Sequence, residues 1–307
     1  MELIKPNINI DFVGKMKMWI SISAVLVVAS ILFLIVRGGP NLGIDFSGGT
    51  SVQIQFKQAT TTDKIRKTLK AINLENSTIQ RIGAGASEFL IRTDLTADDL
   101  KGVTEKIEDT FAASYGKGNF EIRRTEAVGP KAGKDLRQKA VLALCFSFIG
   151  MLIYIAWRFE FRFALGGILA LVHDVAITLG VITLLGREFT LTIIAALLTL
   201  VGFSINDTVV IFDRIRENMR KSSSRKDLGQ ITNESINQTL SRTILTSLTV
   251  FIVVLSLFIF GGEIINDFAL TLLIGVVVGT YSSIFIASST VLVWERYKPS
   301  RKLRKDR

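Results

Sequence analysis

Residues 190–212 read TLTIIAALLTLVGFSINDTVVIF, 23 residues with one ionisable side chain, Asp207. As a helix rising about 1.5 Å per residue the run is longer than a bilayer's hydrocarbon core is thick, which takes about 20 apolar residues to cross. Five more runs read the same way: Trp19–Val36, Val141–Trp157, Phe163–Leu185, Thr243–Phe260 and Phe268–Trp294. The chain carries 37 Lys+Arg and 27 Asp+Glu, yet only Asp174 and Asp207 fall inside these six runs. An ordinary soluble enzyme scatters charge along every amphipathic element. The pattern predicts an all-α membrane bundle of six spans.

Composition narrows the chemistry. The single cysteine, Cys145, lies in an apolar run and the single histidine is His173, so neither a disulfide framework nor a Cys/His metal site can be assembled. The net charge of +10 is unevenly distributed. Lys5, Lys15 and Lys17 precede the first span, Arg158 and Arg162 fill the turn after the second, seven basic residues lie between Arg214 and Arg242, and seven more between Arg296 and Arg307. The short alternate loops are nearly bare: only Arg187 lies between spans three and four and no basic residue between five and six. By the positive-inside rule both termini are cytoplasmic. Residues 1–18 then form an interfacial N-terminus, 213–242 a cytoplasmic loop and 296–307 a basic tail. The charge is an orientation signal and a lipid contact, with no nucleic-acid motif. The first run is 18 residues long and is followed by Arg37-Gly38-Gly39-Pro40 instead of a small-residue cleavage site, which predicts an uncleaved anchor.

Residues 37–139 form the one large segment on the other side. Thr50–Phe56 alternates as a strand, Thr62 caps a helix Asp63–Ile72, Thr78–Ile82 and Glu88–Thr93 are short strands, Thr96 caps a helix Ala97–Tyr115, and Asn119–Thr125 closes as a strand. That order, β-α-β-β-α-β, predicts an α+β ferredoxin-like domain between the first two spans. Gly83–Ser87 reads as a hairpin loop. Gly43, Asp45, Gly48 and Gly49 read as a hinge joining the first span to the domain. No phosphate loop or dinucleotide fingerprint is present.

Ionisable groups inside a membrane are costly and point to function. Asp207 lies 18 residues beyond Phe189 and Arg242 lies 19 residues before Gly261, which puts the two at nearly equal depth on antiparallel spans. A movement that brings the guanidinium toward or away from the carboxyl changes the carboxyl's proton affinity, so the pair reads as a proton switch. A static ion pair locking two helices is the alternative. Asp174 with His173 in span three, and Asn206 beside Asp207, are further candidates for the relay. Gly275 and Gly279 open a small-residue face suited to close helix packing. No nucleophile-base pair, cofactor site or metal site is apparent, so an enzyme is the least expected reading.

Four stretches now resemble one family. Gly43-Ile44-Asp45-Phe46-Ser47-Gly48-Gly49-Thr50, Val172-His173-Asp174-Val175, the run Gly202 to Glu217 around Asn206-Asp207-Thr208, and Arg242-Thr243-Ile244-Leu245-Thr246-Ser247 are similar to the SecF subunits of the SecD/SecF protein-export family, within the resistance-nodulation-division superfamily. Only Phe203, where the family often has Tyr, departs from the pattern. The resemblance implies a six-span half-unit pairing with a homologous SecD. It implies use of the proton-motive force, or of sodium, to assist preproteins late in translocation, after SecA and the SecYEG channel have started them. It places the chain in a bacterial inner membrane with the domain in the periplasm, and makes Asp207 the proton-linked aspartate with Arg242 its partner. Two other readings remain open: a proton-driven small-molecule or lipid exporter subunit of the same superfamily, and an assembly scaffold without transduction.

Overall fold

The computed structural model describes residues 8–82, 87–93, 100–221 and 227–297. Six helices in it are long and apolar enough to cross a membrane. They are α1 (Met16–Val36), α5 (Pro130–Arg158), α6 (Phe161–Leu184), α7 (Leu191–Lys221), α8 (Leu228–Phe260), and α9 (Gly262–Ser282) continued through a π-helical turn, Ser283–Ala287, into α10 (Ser288–Tyr297). Several run past the apolar segments. Residues 213–221 and 228–242, expected as loop, are helix, because Ile215, Leu228, Ile231, Ile236 and Leu240 keep helical spacing among the charges and are buried. Pro130 opens α5 well before Val141, in the first-turn position where its missing amide is no loss.

The chain divides into two compact units: the described parts of Met1–Asn41, Ala143–Glu188 and Thr192–Arg307, and the described parts of Leu42–Leu142 with Phe189–Leu191. In the first, α6, α7 and the last span are 50–61% buried, whereas α1, α5 and α8 are 6–17% buried. The three inner spans are thus the ones that carry most of the intramembrane polar groups. The segment before α1, expected at the membrane interface, is docked on protein. Asn233 and Asn237 of α8 bind the backbone of Ile10, Asn233 also accepts the Phe12 amide, and the Phe12 ring sits 5.8 Å from Phe285.

The second unit begins with a helical turn, α2 (Ile44–Ser47), then β1 (Gly49–Phe56), α3 (Thr62–Lys70), β2 (Thr78–Arg81), β3 (Glu88–Thr93), α4 (Leu100–Tyr115) and β4 (Phe120–Val128). The sheet order is β2-β3-β1-β4 with the paired strands antiparallel. Alternation sends Val52, Ile54 and Phe56 of β1 inward to meet Phe89 and Ile91 of β3, Ile65 and Leu69 of α3, and Ile107 and Phe111 of α4. β4 runs three residues beyond the expected Thr125, pairing through Val128 opposite Gly49. Residues 83–86 of the expected hairpin loop Gly83–Ser87, and the expected cap at Thr96, lie outside the described residues.

The cap of α3 is Thr61, one residue before the expected Thr62: its extended backbone lets Oγ1 accept from the Lys64 amide at 3.4 Å. Thr61→Ala is expected to destabilise the first turn of α3 by about 1 kcal/mol. Amide hydrogen exchange in the full chain reads this as faster exchange confined to that turn.

Candidate functional site

Asp207 lies on the buried face of α7 with Ser204, Thr208 and Ile211, and is 2% exposed. Its partners come from α8: Thr246 Oγ1 donates to Oδ1 at 3.3 Å and Ser247 Oγ donates to Oδ2 at 3.1 Å. Ser247 Oγ in turn accepts from Thr280 Oγ1 of α9 at 2.7 Å. The carboxyl is therefore ringed by neutral hydroxyls. Among the described residues no ion pair joins it to Arg242, which is exposed one helical turn before Thr246. Equal depth was legible in the spacing, but the helical faces set the hydroxyls, not the guanidinium, against the carboxyl.

Asp174 of α6 is the second buried carboxyl, fully enclosed. Its Oδ2 accepts from Ser204 Oγ of α7 at 2.6 Å and from Ser282 Oγ of α9 at 2.8 Å, and its Oδ1 lies 2.9 Å from His173 Nδ1. A Cβ placed on Gly279 would lie 3.1 Å from the Ser204 Cβ, and one on Gly275 2.7 Å from the Leu200 side chain. These glycines let α9 approach α7 closely enough for Ser282 to reach Asp174 and for Thr280 to reach Ser247, the partner of Asp207. Asn206 faces away, on the exposed side of α7 with Thr199 and Gly202.

In the other unit, Gly43, Asp45, Gly48 and Gly49 form a folded turn rather than an open linker. Ile44 and Phe46 are buried, Gly48 has φ 78° and Gly49 φ 119°, and a Cβ on Gly48 would lie 2.9 Å from the Pro130 Cα. Only glycine fits that position. Gly43 donates to the Phe189 carbonyl at 2.9 Å, and Asp45 Oδ2 accepts from the Leu191 amide at 2.9 Å, one of the first-turn amides of a helix that lack an intrahelical partner.

Two family models match the chain: one described as protein export membrane protein SecD/SecF, C-terminal, over residues 107–297, and one described as the SecD/SecF GG motif over residues 33–60. The chain belongs to the SecD/SecF family of protein export membrane proteins. Among its relatives, a protein translocase subunit SecF of Calditerrivibrio nitroreducens is 51% identical over 95% of this chain and 96% of its own length. Those of Vibrio alginolyticus and Helicobacter pylori are 43% and 40% identical, each over 95% of this chain and about nine-tenths of their own. A crystal structure of SecDF from Thermus thermophilus, described as a translocon-associated membrane protein, superposes with a TM-score of 0.85 at 35% identity over 96% of this chain. This chain spans 40% of that one. Six candidate spans and SecD/SecF family membership make this a multi-pass membrane protein with a SecF-like role in protein export.

Reading the SecD/SecF signature stretches for charge alone passes over Ser204, Thr246, Ser247, Thr280 and Ser282. The available signal was hydroxyls recurring at three to four residues within otherwise apolar spans. Ser247→Ala removes one of the two donors to Asp207. A hydrogen bond to a charged group contributes about 1.5–3 kcal/mol, so export is expected to fall about tenfold or more. Export half-times at matched membrane levels measure it.

Proposed function

We propose that this chain is the SecF-type half of a SecD–SecF complex in a bacterial inner membrane, with both termini cytoplasmic and the α+β unit a ferredoxin-like periplasmic domain. The complex uses the proton-motive force to draw emerging preproteins outward after SecA and SecYEG have started them. Asp207 is the group that takes up and releases the proton, and Arg242 is the mobile cation that approaches it in one half of the cycle. Asn206 borders that path on the outward face of α7. The chain does no classical enzyme chemistry, and it needs no cofactor.

The observation that carries this reading is a carboxyl buried within a membrane span and held, among the described residues, by neutral hydroxyls, in a chain similar along its length to translocase subunits. A permanent lock would set the guanidinium directly on the carboxylate, whereas hydroxyls can donate to a carboxylate or accept from a carboxylic acid. They serve both protonation states.

The test supplies the chain to a strain lacking its own SecF and follows release of a secreted protein by pulse-chase, with co-purification of SecD. Restored release together with SecD capture is expected. SecD capture without restored release would favour a scaffold, and failure of both would contradict the assignment. Driving the same assay with a sodium gradient in place of a proton gradient separates the two coupling ions.

A further inference from the structure

The His173–Asp174 cluster is more elaborate than helix packing requires. Three polar groups on three helices converge on one carboxyl, while His173 Nε2, buried, has no hydrogen-bond partner among the described residues. An orphaned imidazole nitrogen inside a membrane protein is an open proton acceptor or an unpaired donor. The ring stacks on Tyr281 with centroids 6.0 Å apart, and the Tyr281 hydroxyl reaches Ser23 and the Trp19 carbonyl of α1.

The neighbouring strip of α9 reaches Asp174 directly and Asp207 through Ser247. Thr280 binds Ser247, the partner of Asp207; Ser282 binds Asp174; and Ser283 binds Thr208, one residue past Asp207. The helix then widens into the π-helical turn Ser283–Ala287, a feature that recurs at functional sites. The surroundings hold few competing charges. From α9 the titratable group facing His173 is Tyr281; α1 has no charged residue between Lys17 and Arg37; Asp207 is the one charged residue of α7 at this level; and on α10 Glu295 is engaged far off with Arg162.

We propose that His173 and Asp174 form a second proton-holding site whose occupancy changes in step with that of Asp207, through the α9 strip Thr280–Ser283. The proton adds to the Nε2 lone pair, and the resulting imidazolium is balanced by the Asp174 carboxylate at Nδ1. No bond other than the incoming proton's own is broken. When Asp207 becomes protonated it donates to Ser247 instead of accepting. Ser247 and Thr280 then reorient, and Ser282, two residues along the same helix, shifts against Asp174. The coupling half of this proposal rests on Asp207 being the proton-carrying group; the site itself does not.

The lone histidine makes the test direct. Full-length chain labelled with 15N-histidine, carrying no histidine tag, is reconstituted in lipid nanodiscs and its imidazole signals are followed from acidic to alkaline pH. One nitrogen pair is observed, so no assignment is needed, and histidine is the side chain suited to proton exchange near neutrality. Expected are a single titration step in the wild type, a displaced midpoint in Asp207→Asn, and a smaller displacement when Ser282→Ala is added. Signals that ignore pH would overturn the site. A midpoint identical in wild type and Asp207→Asn would overturn the coupling. If instead His173 titrates while export is indifferent to Asp207→Asn, the proton role of Asp207 fails and the His173–Asp174 site stands.

Discussion

Asp207→Asn is expected to abolish the stimulation of protein export while leaving the chain inserted, folded and able to bind SecD. The amide is nearly isosteric with the carboxyl: its oxygen can accept from one of the two hydroxyls, Thr246 or Ser247, and its NH2 can donate to the other, so the hydroxyl ring around it persists. It cannot exchange a proton. The loss is therefore of the coupled step itself, and export in the variant falls to the level of a strain without the chain. Pulse-chase at matched membrane levels, with SecD co-purification as the control for assembly, reads both parts. Asp207→Leu differs: Thr246 keeps the Arg242 carbonyl at 2.8 Å, but the buried Ser247 hydroxyl loses its acceptor at about 1–3 kcal/mol, so the amount of assembled complex is expected to fall as well.

The largest expected loss of stability lies at the other end of the inner helices. Arg162 of α6 is 5% exposed and is bound by Glu295 of α10, itself 8% exposed, with Glu160 at 2.9 Å as a second, solvent-facing partner. Removing one member of a buried pair leaves the other charge uncompensated, at about 3–5 kcal/mol. Glu295→Ala should come near the lower end, because Glu160 still screens the guanidinium. Arg162→Met combined with Glu295→Leu should regain most of that loss, since a packed apolar pair often matches a buried ionic one. Thermal melting in detergent compares the three proteins. A melt of Glu295→Ala unchanged from wild type would mean that the pair is not holding α6 to α10.

How much of this was legible in the sequence follows from what each signal encodes. The six spans were legible because charge is nearly excluded from hydrocarbon, and the sheet unit because Val52, Ile54 and Phe56 alternate while Ile65, Leu69, Ile107 and Phe111 keep helical spacing. Helix ends were not. Beyond the membrane the apolar face of α7 and α8 continues as scattered residues such as Ile215 and Ile236, which a search for unbroken apolar runs discards.

The site divides in the same way. Asp207 stood out as an acid in an apolar run, but its partners are serines and threonines, residues too common in spans to mark themselves. Counting residues from a membrane edge gives depth and not direction around the helix. It therefore paired Asp207 with Arg242, whereas the groups in hydrogen-bonding reach are Thr246 and Ser247, four and five residues further along α8. Ser282 read as a small packing residue; Gly279 does pack closely on Ser204, and that closeness is what brings the Ser282 hydroxyl to Asp174.

Proton movement itself is the most direct measurement. The chain and SecD are co-reconstituted in vesicles enclosing a pH-sensitive dye, and a pH gradient is imposed with wild type, Asp207→Asn or Arg242→Ala. The account predicts proton entry with the wild type that falls to the protein-free rate with Asp207→Asn and is altered with Arg242→Ala. Equal proton entry with wild type and Asp207→Asn would contradict it.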